Sequence, residues 1–218
     1  GMNFHRHARA WLFWLDLGRW LELSRRPSRK APQRSNDEGS LSAEMVYEGL
    51  ADRLMYEDPA ILLQVSVAGA QIDPGVTFHW LVMAYSLERE HPASLPKAQA
   101  VYDIALSLPI PTTSQWSRQI WFLLARALLL TPGHSVENEF WPRIPLGARA
   151  FTVFRGLREA LEDHPDLLEK VIAAAPDRGG MREDLVLARG DFYRMVRHDP
   201  VRARAEYQAG LNKQPQST

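Results

Sequence analysis

Glu88-x-x-His91 sets a carboxylate and an imidazole one helical turn apart, the spacing of half a di-iron carboxylate site. The chain holds no second copy of that motif, and His91 precedes Pro92 at an expected helix end, so it reads as a last-turn histidine facing the helix dipole. His5-x-His7 offers two metal donors but no carboxylate or third ligand nearby in sequence. Ser94-x-x-Lys97 matches the first element of a serine acylase signature whose Ser-Asp-Asn and Lys-Thr-Gly partners are absent, which leaves Ser94 as a helix cap. Gly133-His134-Ser135-Val136-Glu137 lacks the closing glycine of a nucleophile elbow and follows no strand. Cysteine is absent, which removes thiolate nucleophiles, disulfides and Cys-ligated metals. The expectation is a protein with no catalytic residues, no cofactor and no metal.

Thr131–Pro145 gathers His134, Glu137, Glu139, Phe140, Trp141 and Arg143 between two helical stretches, and long loops inside compact domains often carry function. Two readings stand here. Phe140 and Trp141 pack over a helix end, or His134, Trp141 and Arg143 form a rim that closes over a bound peptide. An alternative of another class, a small-ligand or enzymatic helical domain, would place this 131–145 loop over its pocket.

The elements that position these residues are helical. Apolar residues make up 45% of the 218 and charged residues 24%, ordinary globular usage that argues against wholesale disorder. Lys+Arg and Asp+Glu both number 26, so no net field draws the whole molecule to nucleic acid, which is an unlikely partner on that ground. The balance is uneven along the chain: residues 1–35 hold eight basic side chains against Asp16 and Glu22. Gly1 ahead of Met2 reads as a tag remnant, so the natural start is expected at Met2.

Residues 1–24 read as an amphipathic helix rich in Trp and Arg, built around Trp11, Trp14 and Trp20. Asp16 and Arg19 interrupt its apolar stretch, which suits neither a bilayer span nor a secretory signal. It docks on the body of the protein, binds a partner, or lies at a membrane surface through residues 4–23. Residues 25–41 carry little to bury and read as a basic flexible linker. Residues 42–218 form the remaining domain. Ser42 caps a helix through about Glu57, Asp58-Pro59 opens one ending near Gly69, and Asp73-Pro74 opens the next. Further helices are expected after Ser94 and over roughly 114–130, 146–163, 166–175, 182–197 and 200–213. No stretch alternates with a period of two, so the fold class is all-α. The expected location is cytoplasmic, with peripheral membrane association as an option.

Three windows share one grammar. The first reads Trp80-x-x-Met83-Ala84-x-x-Leu87, then Ala98-x-x-x-Tyr102-x-x-Ala105 and Pro109. The second reads Trp121-x-x-Leu124-Ala125-x-x-Leu128 and resumes after the 131–145 insertion as Val153-x-x-x-Leu157-x-x-Ala160 and Pro165. The third reads Gly190-x-x-Tyr193, then Ala203-x-x-x-Tyr207-x-x-Gly210 and Pro215, with Val186 where the pattern begins with Trp. Small residues at Ala84, Ala125, Gly190, Ala98, Ala105 and Ala203 would let paired helices approach closely, while Trp80, Tyr102 and Tyr207 would fill the space between pairs.

This grammar resembles the tetratricopeptide repeat. The resemblance implies antiparallel helix pairs stacked as a right-handed α-superhelix, with the N-terminal amphipathic helix as an extra element. It also implies a non-catalytic scaffold or adaptor that binds a partner peptide or helix in a concave groove. The groove positions it carries over are Phe78, Leu81, Tyr85 and Glu88 from the first window, Gln119, Phe122 and Arg126 from the second, and Asp184, Leu187, Asp191 and Arg194 from the third.

Overall fold

The computed structural model describes residues 58–110, 118–145, 148–176 and 181–213. The N-terminal amphipathic helix, the basic linker and the helix expected after Ser42 lie outside the described residues. Among the described residues there are nine α-helices and no strand. The chain divides into two compact units, up to Leu108 and from Pro109 on.

In the first unit, α1 (Pro59–Ile72) starts where sequence signals place it. The Asp58 carboxylate accepts from the Ala60 N–H at 2.8 Å, and Pro59 occupies the first helical position, where it has no hydrogen bond to lose. α2 (Thr77–Glu90) begins three residues beyond Pro74. Asp73 turns its carboxylate to the Gly75 N–H at 3.0 Å, closing a turn rather than a cap, and the Trp80 indole N–H donates to the Pro74 carbonyl at 2.8 Å. α3 (Leu95–Ser107) follows a single 3₁₀ turn over Pro92–Ser94. His91 caps that turn, its Nδ1 accepting from the Ala93 N–H at 3.0 Å, whereas Ser94 is itself helical and makes no side-chain cap.

Helix α2 packs on both α1 and α3, so two of its faces are covered. Leu62 and Val65 of α1, Phe78, Leu81 and Ala84 of α2, and Ala98, Tyr102 and Ala105 of α3 are buried. The Tyr102 hydroxyl, taken below the surface by its ring, donates to the Glu88 carboxylate at 2.9 Å.

The second unit holds α4 (Arg118–Leu130), α5 (Val136–Arg143), α6 (Ala150–Ala160), α7 (Pro165–Ala173), α8 (Met181–Met195) and α9 (Pro200–Lys213). α4 packs antiparallel on α6, with Arg118 Nε 3.3 Å from a Glu159 oxygen. Gly156 makes that approach close: a Cβ there would collide with the Arg118 carbonyl and the Phe122 amide of α4. α8 packs antiparallel on α9, where the Tyr207 ring lies over Gly190 and leaves no room for a Cβ. The helix pairs α2–α3, α4–α6 and α8–α9, which join the two halves of each sequence window, are therefore packed pairs.

Within those pairs the bulky residues behave differently from expectation. Tyr102 bonds to Glu88, and Tyr207 covers Gly190 and bonds to Asp191, so each works inside its own pair. Trp121 is 1% exposed, with its Cβ beside Gly156, whereas Trp80 is only half-buried and tied to the Pro74 turn, so the two tryptophans at equivalent window positions have different surroundings.

Thr131–Pro145 is not an open loop. Ser135 caps α5, its hydroxyl accepting from the Asn138 N–H at 3.3 Å while the Ser135 N–H donates to Glu139 at 3.0 Å. Phe140 and Trp141 are buried and meet edge to face at 5.3 Å, and the Trp141 indole N–H donates to the Val171 carbonyl of α7 at 2.7 Å. Among the described residues no helix is long and apolar enough to cross a membrane.

Candidate functional site

The second unit contains a groove between α6 and α8 with α7 as its floor. Phe151, Phe154, Arg155 and Arg158 line it from α6, Leu168 and Ile172 from α7, and Asp184, Leu187, Ala188, Asp191, Phe192 and Met195 from α8, around about 280 Å³ of space. Residues 184, 187, 188, 191 and 195 recur at helical spacing, so they form one stripe along α8. The spacing of Phe151, Arg155 and Arg158 does the same on α6.

α6 and α8 run parallel. Their first turns meet where the Phe151 N–H donates to the Asp184 carboxylate at 3.1 Å, and their last turns meet where the Arg158 guanidinium reaches the Met195 sulfur at 3.7 Å. The floor is fixed to α8 by a polar cluster along its other side. The Tyr193 hydroxyl donates to Glu169 at 2.6 Å, the Arg197 guanidinium donates to Glu169 at 2.8 Å and also to Asp166, and the Arg202 guanidinium lies 4.3 Å over the Tyr193 ring. The hydrogen bond from Tyr193, together with the hydrogen bond and charge of Arg197, holds the Glu169 carboxyl below its ordinary range. Burial and the same bond to Glu169 push the Tyr193 phenol up to about 12.

Among the described residues five large apolar side chains are exposed: Ile104, Phe151, Leu187, Met195 and Val201. Three of the five line this one groove, and Phe151 and Leu187 are 62% and 52% exposed. These three apolar side chains share one concave face.

Of the residues carried over as groove positions, Leu187 and Asp191 line this groove, as does Asp184. Arg194, one turn beyond, donates to Asp191 at 3.0 Å. Phe78, Leu81 and Phe122 require correction, since they are 2%, 0% and 7% exposed. The periodicity that marks an inner groove face also marks a core face, and in these helices it is the core. Tyr85 is half-buried with Arg89 5.6 Å over its ring, and Glu88 is engaged by Tyr102. Gln119 and Arg126 are half-buried on α4. Phe78, Leu81, Tyr85 and Glu88 belong to the first unit and the other positions to the second.

The expected loop rim is corrected as well. Trp141 is buried against α7, while His134 and Arg143 both turn to Glu139, at 3.0 Å each, and tie it to the turn before α5 and to the last residue of α5. Burial raises the Glu139 pKa, but the bonds from His134, Arg143 and the Ser135 amide outweigh it and leave the group at about 2. None of the three lines the groove.

Phe151, Arg155, Arg158 and Met195 were not read from the sequence as groove residues. Their signal was present in the spacing of Phe151, Arg155 and Arg158, but the window pattern gives α6 the role of a second, outward helix and has no place for α7. Among the described residues no group of three or more His, Asp or Glu could hold a metal ion. No family model, curated protein or solved structure matches the chain.

Proposed function

We propose that this chain is a non-catalytic interaction module and that the α6–α8 groove of its second unit docks a peptide or helix of another protein. The observation that carries this reading is the concentration of exposed Phe151, Leu187 and Met195 along one groove with charged residues on both edges. Such a surface has the parts of a protein-binding site: apolar anchors to exclude water, and polar rims to set orientation.

The finer architecture is part of the same proposal. α6, α7, α8 and α9 read as two consecutive helical hairpins whose first helices, α6 and α8, lie side by side and parallel, an arrangement of the tetratricopeptide kind. The repeat frame is then displaced by one helix from the frame of the second sequence window, with α6 rather than α4 as the groove-lining helix beside α8.

Affinity capture with the full chain, compared with Phe151→Asp and Leu187→Asp, tests the reading. Both positions are exposed, so the variants keep the helical circular dichroism of the parent and lose proteins that the parent retains. Identical capture by all three would refute it.

A further inference from the structure

Resting on the docking reading above, we infer that the occupant of the α6–α8 groove is an amphipathic helix of a second protein whose polar flank carries Asp or Glu directed at Arg155.

The groove has two charged edges that differ in what they have left to give. On the α8 edge, Asp184 accepts from the Phe151 N–H, and Asp191 accepts from both Arg194 and the Tyr207 hydroxyl, at 3.0 and 2.7 Å. Asp191 is thus charge-paired within the unit, while Asp184 holds a neutral amide and keeps its charge. On the α6 edge, Arg158 reaches the Met195 sulfur, while Arg155 is exposed and has neither a hydrogen bond nor an ion pair among the described residues. With Asp191 paired to Arg194, an approaching segment meets two guanidiniums, Arg155 and Arg158, on the α6 edge against the one carboxylate of Asp184 on the other, and a carboxylate is the complement of that positive edge. Arg presents a planar fork that a carboxylate can take with two hydrogen bonds, which fixes the angle of approach as well as the charge.

The trough offers no sheet edge on which an extended strand could be added: no strand occurs among the described residues, and the α6 and α8 backbones are hydrogen-bonded internally. Recognition then falls to side chains. From Phe151 to Arg158 the α6 edge rises about 10 Å at roughly 1.5 Å per residue, two helical turns. Bulky residues at i, i+3 or i+4, and i+7 of an incoming helix cover that length and can meet Phe151, Leu187 and Met195.

Three short synthetic helical peptides distinguish the possibilities: one with Leu at those positions and Glu on one flank, one with the same Leu positions and Lys on that flank, and one with the Leu residues replaced by Ser. Each is titrated against the full chain by fluorescence anisotropy. The acidic-flank peptide is expected to bind about fivefold tighter than the basic-flank one, the sum of a gained ion pair and an avoided like-charge contact, and the Ser peptide not at all. Arg155→Glu, at an exposed position, inverts the order without loss of helicity, and Phe151→Asp weakens both apolar peptides. Equal or tighter binding of the basic-flank peptide, or an order that Arg155→Glu leaves unchanged, overturns the acidic assignment. If neither apolar peptide binds while Phe151→Asp and Leu187→Asp still abolish capture of a cellular protein, the helical occupant is wrong and the docking reading stands. If neither binds and capture is indifferent to both variants, the two fall together.

Discussion

The Asp184 carboxylate accepts the Phe151 backbone N–H at 3.1 Å, so a side chain of α8 caps the first turn of α6. Arg149, the residue at the α6 N-cap position, makes no such bond. One contact thus satisfies a helix terminus and sets the width of the groove mouth. Asp184→Ala is expected to lower stability by about 1 kcal/mol, the usual effect of losing a capping side chain. In a chain of this size that shifts the melting temperature by roughly 2–4 °C, measured by circular dichroism. Asp184→Asn retains an acceptor and stays close to the parent.

Gly190 sits under the Tyr207 ring with no space for a Cβ. Gly190→Ala should therefore destabilise the α8–α9 pair by about 1–3 kcal/mol through overpacking, despite alanine's better helix propensity. Chemical denaturation checks the value. Combining Gly190→Ala with Tyr207→Leu should return part of the loss, since the collision is with the ring itself; no recovery in the double variant would count against steric contact as the cause.

His79 is 4% exposed in α2, and burial lowers its pKa from the usual 6.5 to about 4, against a smaller opposing pull from Asp73. Between those values the unfolded chain binds a proton that the folded chain refuses, so stability rises with pH across that window. The contribution is complete above about pH 6.5 and lost on acidification towards pH 4. Its size is on the order of 3 kcal/mol at 1.36 kcal/mol per tenfold change in proton affinity. Denaturation midpoints taken from pH 7 to pH 4 should fall in the parent and fall less in His79→Gln.

Glu139 responds in a lower window. Its folded pKa of about 2 lies below the usual 4.5, so its contribution is present above about pH 4.5 and lost as pH falls through 2. Glu139→Gln should unfold with a flatter pH dependence below 4.5 and show no change in the window that belongs to His79.

Helix starts were legible where a local signal fixed them. Asp58-Pro59, Pro165 and Pro200 each open a helix, because an acidic cap or a first-position proline acts within a single turn. α5 was hidden. Val136–Arg143 has eight residues, too few for periodicity to declare itself, and its stability comes from Ser135, Glu139 and the bond from Trp141 to Val171, which no spacing rule reports. The pairing of helices was visible in small residues such as Gly190, while Gly156, which leaves no room for a Cβ against α4, falls outside the repeat grammar. The groove was half legible. Leu187 and Asp191 came from the repeat frame, but a core face and a binding face obey the same helical period, so Phe78, Leu81 and Phe122 could not be told apart from them by spacing.

Methyl-resolved NMR of the full chain, titrated with the acidic-flank helical peptide, probes the docking surface most directly. The expected result is concentration-dependent shifts at the Leu187, Met195, Leu168 and Ile172 methyls, with Leu62 and Leu81 of the first unit unmoved. Binding that leaves those four unshifted, or that moves methyls remote from the groove instead, would contradict the assignment of α6 and α8 as the docking face.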